Sequence, residues 1–335
     1  MARLLASCLM PVFLSGVLSP SAFCQMSPSA VEATFKEANA KWALYRSAYL
    51  PKLQGFVRGC KSDGTVTFTF EFKNRADSSL YSVDARQPDR HRQEVCAVNP
   101  KYTFALSKKK EGDWLLDKYS LDPSQAVGPM GIPRDIEFTR AAEQFTVAFM
   151  PLPELVNHAS FSIRSMKNLT TAEGLDVVRV EFGFKPHMQK QPMRYLALES
   201  GVITFVPSQF WRVLDCDVNE KHADSATHWQ ATYEVQLTDG SVPLLKRSVV
   251  KTRSKLTNGE TKSEEFLSEC DLQFHEGVSE GEFYLTAFGL PEPIGITPPT
   301  SRLYVWLALA ALGALGLAAL FGTLKRGWQR RAPPK

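Results

Sequence analysis

Few residues of this chain are of a type and spacing that could do chemistry, and its cysteines come first. Six cysteines occur in 335 residues, and four of them, Cys60, Cys96, Cys216 and Cys270, lie in the middle of the chain. None belongs to a Cys-x-x-Cys motif, so neither a zinc ribbon nor a thioredoxin-like redox centre is indicated. Pairing within each half predicts the disulfides Cys60–Cys96 and Cys216–Cys270, although four cysteines allow three connectivities.

The histidines provide one candidate metal site. His222 and His228 follow Asp215 and Asp217 closely in the chain. Their spacing matches no established metal-binding pattern, and a polar loop between two strands is the alternative. The sequence also contains neither a P-loop nor a dinucleotide-binding glycine motif. We therefore predict no catalytic residue, no metal and no cofactor, and we do not expect an enzyme.

Aromatic residues alternate with polar ones in several segments, and this pattern could provide the apolar surface of a binding site. Residues 66–72 place apolar side chains at every second position, which predicts a strand with one apolar face. Residues 178–184 repeat the pattern. Such faces line either a ligand cavity or a filled core. The candidate cavity residues are Phe68, Phe70, Phe72, Phe182, Phe184 and Trp211.

The elements that would position these residues are mostly strands. A periodic apolar stripe predicts a helix over residues 27–50, and a second helix is expected around 135–150. Asp239-Gly240 and Asn258-Gly259 are strong hairpin signals, and they predict a three-stranded meander over 231–274. We therefore expect an α+β fold, in which helices cover a strongly curved, mostly antiparallel sheet that forms a half-barrel.

Both ends of the chain carry targeting signals. Residues 1–24 have the basic, apolar and small-residue regions of a secretory signal peptide, with a membrane anchor as the alternative. Cys24 also suggests a lipoprotein, although Phe23 before it fits that class poorly. Leu303 to Leu324 contain no charge and would span about 33 Å as a helix. The basic tail 325–335 then predicts a single-pass protein with its C-terminus in the cytoplasm and its body outside.

Between these signals we expect an extracytoplasmic body over 25–290, divisible into halves 25–122 and 134–290, and a proline-rich linker over 291–302. Six of the 39 basic residues lie in the terminal segments, which leaves 33 basic against 35 acidic residues in the middle. This balance argues against nucleic acid as a partner, since nucleic-acid-binding bodies carry a basic face of their own. Small residues recur every four positions in the predicted span and suggest self-association. They are Ala310, Ala314, Ala318 and Gly322.

Two stretches carry a family resemblance: "NPKYTFALSKKKEGDWLLDKYS" at 99–120, and the segment 283–331, which begins "FYLTAFGLPEP". With the order of the predicted elements, they resemble the outer-membrane lipoprotein carrier superfamily, the Lol-type half-barrels. The resemblance is greatest to exported, C-terminally anchored bacterial proteins of uncharacterised function. It implies a hydrophobic cavity for acyl chains. Lol-type proteins are soluble or lipid-anchored, however, so the predicted span departs from that family.

The tail also resembles the Pro-Glu-Pro carboxy-terminal sorting signal, in which an apolar helix and basic residues follow the motif and the tail is cleaved. In this chain nine residues separate Pro293 from Leu303, whereas the family's helix begins almost at once. Taken together, the patterns predict a membrane-anchored, extracytoplasmic binding module for lipid or another hydrophobic ligand. The alternative is a structural or assembly protein of the cell envelope that acts through protein contacts.

Overall fold

The structure is a computed structural model, and it describes residues 28–296 apart from 88–89, 110–111, 126–140, 185–197, 223, 239–240 and 276, together with Ala311. It begins with helix α1 (Pro28–Leu44), which continues as a π-helical turn (Tyr45–Tyr49) and a 3-10 turn (Leu50–Lys52). This confirms the helix predicted over 27–50. Proline suits the first turn of a helix because the amide hydrogen that it lacks would have no partner there.

Fifteen strands follow in the described part of the chain. They are β1 (Leu53–Lys61), β2 (Val66–Arg75), β3 (Ser78–Gln87), β4 (Arg90–Val98), β5 (Thr103–Lys109), β6 (Leu115–Ser120), β7 (Thr146–Val147), β8 (Met150–Pro151), β9 (Phe161–Thr170), β10 (Asp176–Phe184), β11 (Leu198–Val206), β12 (Arg212–Lys221), β13 (Ser225–Thr238), β14 (Val242–Leu256) and β15 (Thr261–Phe274). The three-stranded meander predicted over 231–274 corresponds to β13, β14 and β15, and Gly259 at its second turn has a φ of +86°.

Thirteen of these strands form one open antiparallel sheet in the order β6-β5-β4-β3-β2-β1-β15-β14-β13-β12-β11-β10-β9. Strands β1–β6 make one meander and β9–β15 another. The two meanders join where the first strand pairs with the last, so that Val57 of β1 lies opposite Cys270 of β15. We call this β1–β15 pairing the seam. The predicted antiparallel sheet is therefore present.

Helix α1 packs across the apolar face of the second meander. Phe35 contacts the ring of Phe161 on β9, with 6.3 Å between centroids, and Tyr45 contacts Phe274 on β15 at 6.4 Å. Trp42 is 1% exposed, and its Nε1 donates a hydrogen bond to the carbonyl oxygen of Trp211 at 3.1 Å. Burying a large apolar side chain contributes about 2–3 kcal/mol, so this stripe alone secures α1 to the sheet.

The helix expected around 135–150 is not found in its described part. Residues 143–145 form a 3-10 turn, β7 and β8 form a short hairpin, and a helix, α2, occupies only Leu152–Val156. The residues between β7 and β8, Ala148 and Phe149, have φ of +47° and +66°. This left-handed pair is the turn of a two-residue hairpin, and the prolines after it delay the helix to Leu152.

The predicted disulfides are wrong in this structure, where all four cysteines are free thiols. Cys60 lies on β1 and Cys96 on β4, while Cys216 lies on β12 and Cys270 on β15. Each predicted pair is three strands apart in the sheet, or about 14 Å at the usual strand spacing. A disulfide needs Cα atoms within about 7 Å, so neither bond can form without separating the strands.

Residues 279–296 belong to a second compact unit. Two 3-10 turns, Glu280–Phe283 and Leu285–Phe288, follow one another in it. The carboxylate of Glu292 accepts a hydrogen bond from the amide of Thr286 at 2.9 Å, which folds the Pro-Glu-Pro motif back onto the second turn.

No helix in the described ranges is long and apolar enough to cross a bilayer. Three predicted segments lie outside the described residues. They are the signal peptide 1–24, the span 303–324 apart from Ala311, and the tail 325–335.

Candidate ligand-binding cavity

A cavity of about 230 Å³ lies over the seam, near the end of the sheet where β1 turns into β2. Four aromatic rings and two aliphatic side chains make most of its wall. Its lining consists of Gly59, Cys60, Thr67, Phe68, Glu143, Phe149, Trp229, Val250, Phe266, Leu267 and Ser268. Phe149 is 42% exposed and Phe266 is 48% exposed, so the aromatic wall reaches the protein surface.

The β7–β8 hairpin carries Phe149 to the mouth of the cavity. Its ring meets that of Trp229 edge-to-face, with centroids 5.2 Å apart and an interplanar angle of 90°. A left-handed conformation costs an ordinary residue about 1–2 kcal/mol, and two consecutive residues of the hairpin, Ala148 and Phe149, adopt it. Such strain is typical of functional positions, where a side chain is held in one direction.

Gly59 lets Phe68 lie across strand β1. The two residues are direct partners in the β1–β2 ladder, and a Cβ atom built on Gly59 would lie 2.1 Å from Cζ of Phe68. The Phe68 ring therefore occupies the space that a side chain on β1 would fill. It also makes an edge contact with Phe70 at 4.9 Å between centroids. A glycine in a strand interior often marks such a close approach.

Glu143, in the 3-10 turn before β7, is the one charged residue among the described lining residues, and it is only 6% exposed. Ser248 on β14 donates a hydrogen bond to Oε2 of Glu143 at 2.7 Å. Burial is the main reason why the pKa of Cys270 is raised, and the negative charge of Glu143 raises that pKa further. The carboxylate thus lies close to Ser248 and Cys270, beside a wall made mostly of apolar side chains.

A second carboxylate, that of Glu220, positions the side chain of Trp229. Its Nε1 donates to Oε2 of Glu220 at 2.9 Å, and Nε2 of His222 lies 3.4 Å from the same oxygen. Burial raises the pKa of Glu220, although the hydrogen bonds from His222 and Trp229 work in the opposite direction. The bond from Nε1 orients the indole ring that lines the cavity, and the contact with His222 positions the Glu220 carboxylate.

Of the six predicted cavity residues, the structure places one at the cavity and five in the buried core. Phe68 lines the cavity. Phe70 and Phe72 are nearly fully buried farther along β2, and they belong to the core. Phe182, Phe184 and Trp211 are likewise buried in the core, in the second meander beneath α1.

Sequence reasoning missed Glu143, Phe149 and Trp229, which come from three segments that are distant in the chain. A signal existed for Trp229 alone, which lies in a segment of alternating polarity. Glu143 and Phe149 lie in the segment whose pattern predicts a helix, and only the tertiary structure brings them to the seam.

The candidate metal residues do not converge. His228 on β13 pairs across to Asp217 on β12, with Nε2 and Oδ1 2.7 Å apart, whereas His222 contacts Glu220. Within the described residues, no group of three histidine, cysteine or acidic side chains is arranged to hold a metal.

Gly277 to Gly281 carry a Gly-x-Ser-x-Gly pattern, which in hydrolases marks a nucleophile elbow. The elbow requires a serine on a strained turn between a strand and an α-helix. Ser279 instead has an extended backbone, with φ of −63° and ψ of 133°, and a short 3-10 turn follows it. This segment therefore lacks the geometry of a nucleophile elbow.

The fold and cavity together define a large antiparallel sheet with an aromatic pocket over the seam between its two meanders. Comparison with known protein families and with curated proteins found no match to this chain.

Proposed function

We propose that this protein is a binding module for a small hydrophobic ligand, and that the cavity over the seam is its binding site. The observation that carries the proposal is the aromatic wall, in which Phe68, Phe149, Trp229 and Phe266 surround about 230 Å³. Ligand sites are mostly apolar and contain a few polar groups that orient the ligand. The carboxylate of Glu143 is such a group.

The volume limits the part of a ligand that can enter. An apolar cavity of about 150 Å³ accepts a benzene molecule, whereas sites for drug-sized ligands measure about 300–1,000 Å³. A cavity of about 230 Å³ therefore suits one aromatic ring with a short arm, or the end of an alkyl chain. A complete diacyl lipid would have to leave most of its bulk outside.

The cellular setting is part of the same proposal. The sheet would curve as a half-barrel outside the cytoplasm, with residues 303–324 anchoring it in the membrane and the tail 325–335 inside. Support comes from the sequence patterns of the two ends. A cysteine introduced into the tail of the full-length protein should react with an impermeant maleimide only after the cells are opened. Labelling of that tail cysteine in intact cells, located by peptide mass spectrometry, would contradict this topology.

A cavity-filling substitution tests the binding function. Val250 on β14 lines the cavity, so Val250→Phe places a ring inside it. Val249, the next residue, is half-buried, does not line the cavity and points to the opposite face of the strand. Val249→Phe is therefore the matched control. Binding of 2-phenylethanol, a neutral and water-soluble probe, is followed by ligand-observed NMR on the full chain in lipid nanodiscs, with empty nanodiscs subtracted.

We expect Val250→Phe to weaken binding at least about tenfold, since the added ring competes for the space that the probe needs. Val249→Phe should bind as the unaltered protein does, provided that both variants keep a cooperative thermal transition. Equal binding by both variants, or no binding by the unaltered protein, would refute the proposed site.

The alternative function, an assembly protein of the cell envelope, is favoured by one observation. Strand β6 ends the sheet order and, with the residue that follows it, exposes several apolar side chains. They are Leu115, Leu116, Tyr119 and Leu121, at 61%, 43%, 49% and 62% exposure. Apolar side chains at a sheet edge favour pairing with another chain. Leu115→Lys should then abolish cross-links in cells, and recovery of the monomer alone before any substitution would exclude this function.

A further inference from the structure

Resting on the proposed function, we infer that the ligand is a neutral alcohol with an aryl or alkyl body, and that it binds with its hydroxyl group inward. That group would pair with the hydroxyl of Ser268, and the apolar body would lie along the aromatic wall toward the mouth of the cavity. A purely apolar pocket would fix neither the chemistry nor the direction of its ligand.

The hydroxyl of Ser268 lines the cavity, and the residue is only 7% exposed. Thr67 carries the other hydroxyl group of the described lining, and it donates to the carbonyl oxygen of Gly59 at 3.0 Å. The Ser268 hydroxyl makes no hydrogen bond within the described part of the chain. Its oxygen is not one of the fully enclosed unpaired atoms found there, so it stays open to the cavity. One donor and two acceptor positions therefore face a ligand.

The register of the sheet places this hydroxyl at the inner end of the cavity. Phe266 and Ser268 project from the same face of β15, and their exposed fractions fall from 48% to 7%. Their cross-strand partners on β14 are Val250, which is half-buried, and Ser248, which is 1% exposed. The lining thus changes from an open apolar mouth to a buried pair of serines, and an alcohol that follows this gradient enters with its polar end first.

The two strand neighbours of Ser268 explain why a hydroxyl suits it best. Gly59 of β1 lies opposite it and has no side chain. Ser248 of β14, on the other side, gives its hydroxyl hydrogen to Glu143 in a bond of 2.7 Å. Neither side chain can therefore donate to Ser268. A ligand hydroxyl donates as well as accepts, so it can use both the hydrogen and the oxygen of Ser268.

An unpaired hydroxyl distinguishes ligands of the same shape. When an apolar ligand covers such a group, the hydroxyl loses solvent and gains no partner, whereas a ligand hydroxyl replaces the lost bond. Sites that hydrogen-bond the hydroxyl of a substrate reject the analogue without it for this reason. The cavity should therefore distinguish an alcohol from its isosteric hydrocarbon through Ser268, and it should lose this ability when position 268 becomes apolar.

Two probes test the pairing: 2-phenylethanol, and propylbenzene, in which a methyl group replaces the hydroxyl. Dissociation constants are measured by equilibrium dialysis on the full chain in lipid nanodiscs. They refer to the free aqueous concentration of each probe, with empty nanodiscs subtracted. Ser268→Ala removes the hydroxyl. Ser263→Ala is the matched control, because Ser263 lies on the same strand, is exposed, projects from the opposite face and does not line the cavity.

We expect Ser268→Ala to weaken binding of 2-phenylethanol about fivefold and to strengthen binding of propylbenzene, so that the ratio of their dissociation constants changes at least about tenfold. Ser263→Ala should leave that ratio within about twofold. A ratio that stays within about threefold in Ser268→Ala, or that changes equally in Ser263→Ala, would overturn the inference while the proposed function stands. Failure of both probes to bind the unaltered protein would instead remove the proposed function itself.

The direction of binding has a test that needs no substitution in the protein. Two isomeric alcohols, 2-(4-butylphenyl)ethanol and 1-phenylhexan-2-ol, carry the same butyl group at the far end of the ring and beside the hydroxyl, respectively. The first should bind at least about tenfold more tightly, because its butyl group points out of the mouth, whereas that of the second is forced against the buried serines. Equal affinity, or tighter binding of the second isomer, would also overturn the inference.

Discussion

The contact between Gly59 and Phe68 yields the sharpest prediction about the cavity. In Gly59→Ala, the new Cβ atom would lie 2.1–2.6 Å from three atoms of the Phe68 ring. Ordinary carbon contacts are about 3.5–4.0 Å, so the ring must move by more than about 1 Å. Such overpacking costs about 1–3 kcal/mol. The displaced ring also gives up part of its edge contact with Phe70, worth about 0.5–1.5 kcal/mol.

The matched control is Gly112→Ala. A Cβ atom on Gly112 meets nothing within 4 Å. Both substitutions reduce the entropy of the unfolded chain in the same way, by about 0.4–1 kcal/mol, so the difference between them isolates the clash. We expect Gly59→Ala to unfold about 1–3 kcal/mol more easily than Gly112→Ala. That difference corresponds to about 2–10 °C in the midpoint of thermal unfolding, for a body of this size.

A double-mutant cycle with Phe68→Ala then identifies the cause. Without the ring, alanine at position 59 has room, so Gly59→Ala should cost nothing further and the coupling energy should equal the clash. Circular dichroism during urea titration measures each free energy of unfolding. Additivity within about 0.5 kcal/mol, or equal stability of Gly59→Ala and Gly112→Ala, would refute this account of the wall.

Three further predictions concern buried polar groups. Because burial raises the pKa of Glu220 above its ordinary value of 4.5, the folded state holds this proton more tightly than the unfolded state. Its contribution to stability is full below pH 4.5 and is lost as pH rises through the folded-state pKa, so Glu220→Gln should become progressively more stable relative to the unaltered protein as pH rises above 4.5. Gln144→Met should raise the free energy of unfolding by about 1–2 kcal/mol, since it removes an unsatisfied buried amide. Urea unfolding without reducing agent should expose four alkylatable thiols in the body, at Cys60, Cys96, Cys216 and Cys270, each located by peptide mass spectrometry.

Each of these has a distinct contrary outcome. A difference between Glu220→Gln and the unaltered protein that does not change with pH would show that Glu220 titrates normally. A destabilised Gln144→Met would mean that the amide has a partner in the folded protein. Fewer than four labels would reveal a disulfide, and burial, which raises the pKa of the Cys96 thiol to about 11, predicts that labelling is slow until the chain unfolds.

The strands and the first helix could be predicted because their signals are local. The alternation over residues 66–72 and the apolar stripe of α1 are both visible in the types of residues that are close together in the chain. The segment 141–150 could not be predicted in this way. Ala142 and Phe145 fit a helical stripe, but the two left-handed residues Ala148 and Phe149 are held by tertiary contacts such as the Trp229 ring. Phe149 and Trp229 are 80 positions apart in the chain, and local helix propensity does not include a contact between such distant residues.

The disulfide prediction failed for a related reason. Cysteines in the same half of the chain need not be close in space, because strand order decides which residues of a meander are neighbours. Cys96 is therefore three strands from Cys60, and its neighbours are Tyr81 on β3 and Ala105 on β5. The pairing of β1 with β15 joins residues more than 200 positions apart in the chain, and the alternation of apolar residues does not predict it.

The seam itself nevertheless left a signal in strand β1. Its inward-facing positions alternate as Leu53, Gly55, Val57 and Gly59, so two of the four carry no side chain. At Gly55, with φ of +136°, a Cβ atom would lie 2.0 Å from the carbonyl oxygen of Asp271 on β15, so the strands need this glycine to pair closely. At Gly59 the missing side chain makes room for the Phe68 ring. The two glycines thus serve different contacts: Gly55 permits the close pairing of β1 with β15, and Gly59 permits the Phe68 ring to lie across β1. Because Phe68 lines the cavity, the glycine at position 59 helps to shape the cavity wall beside the seam.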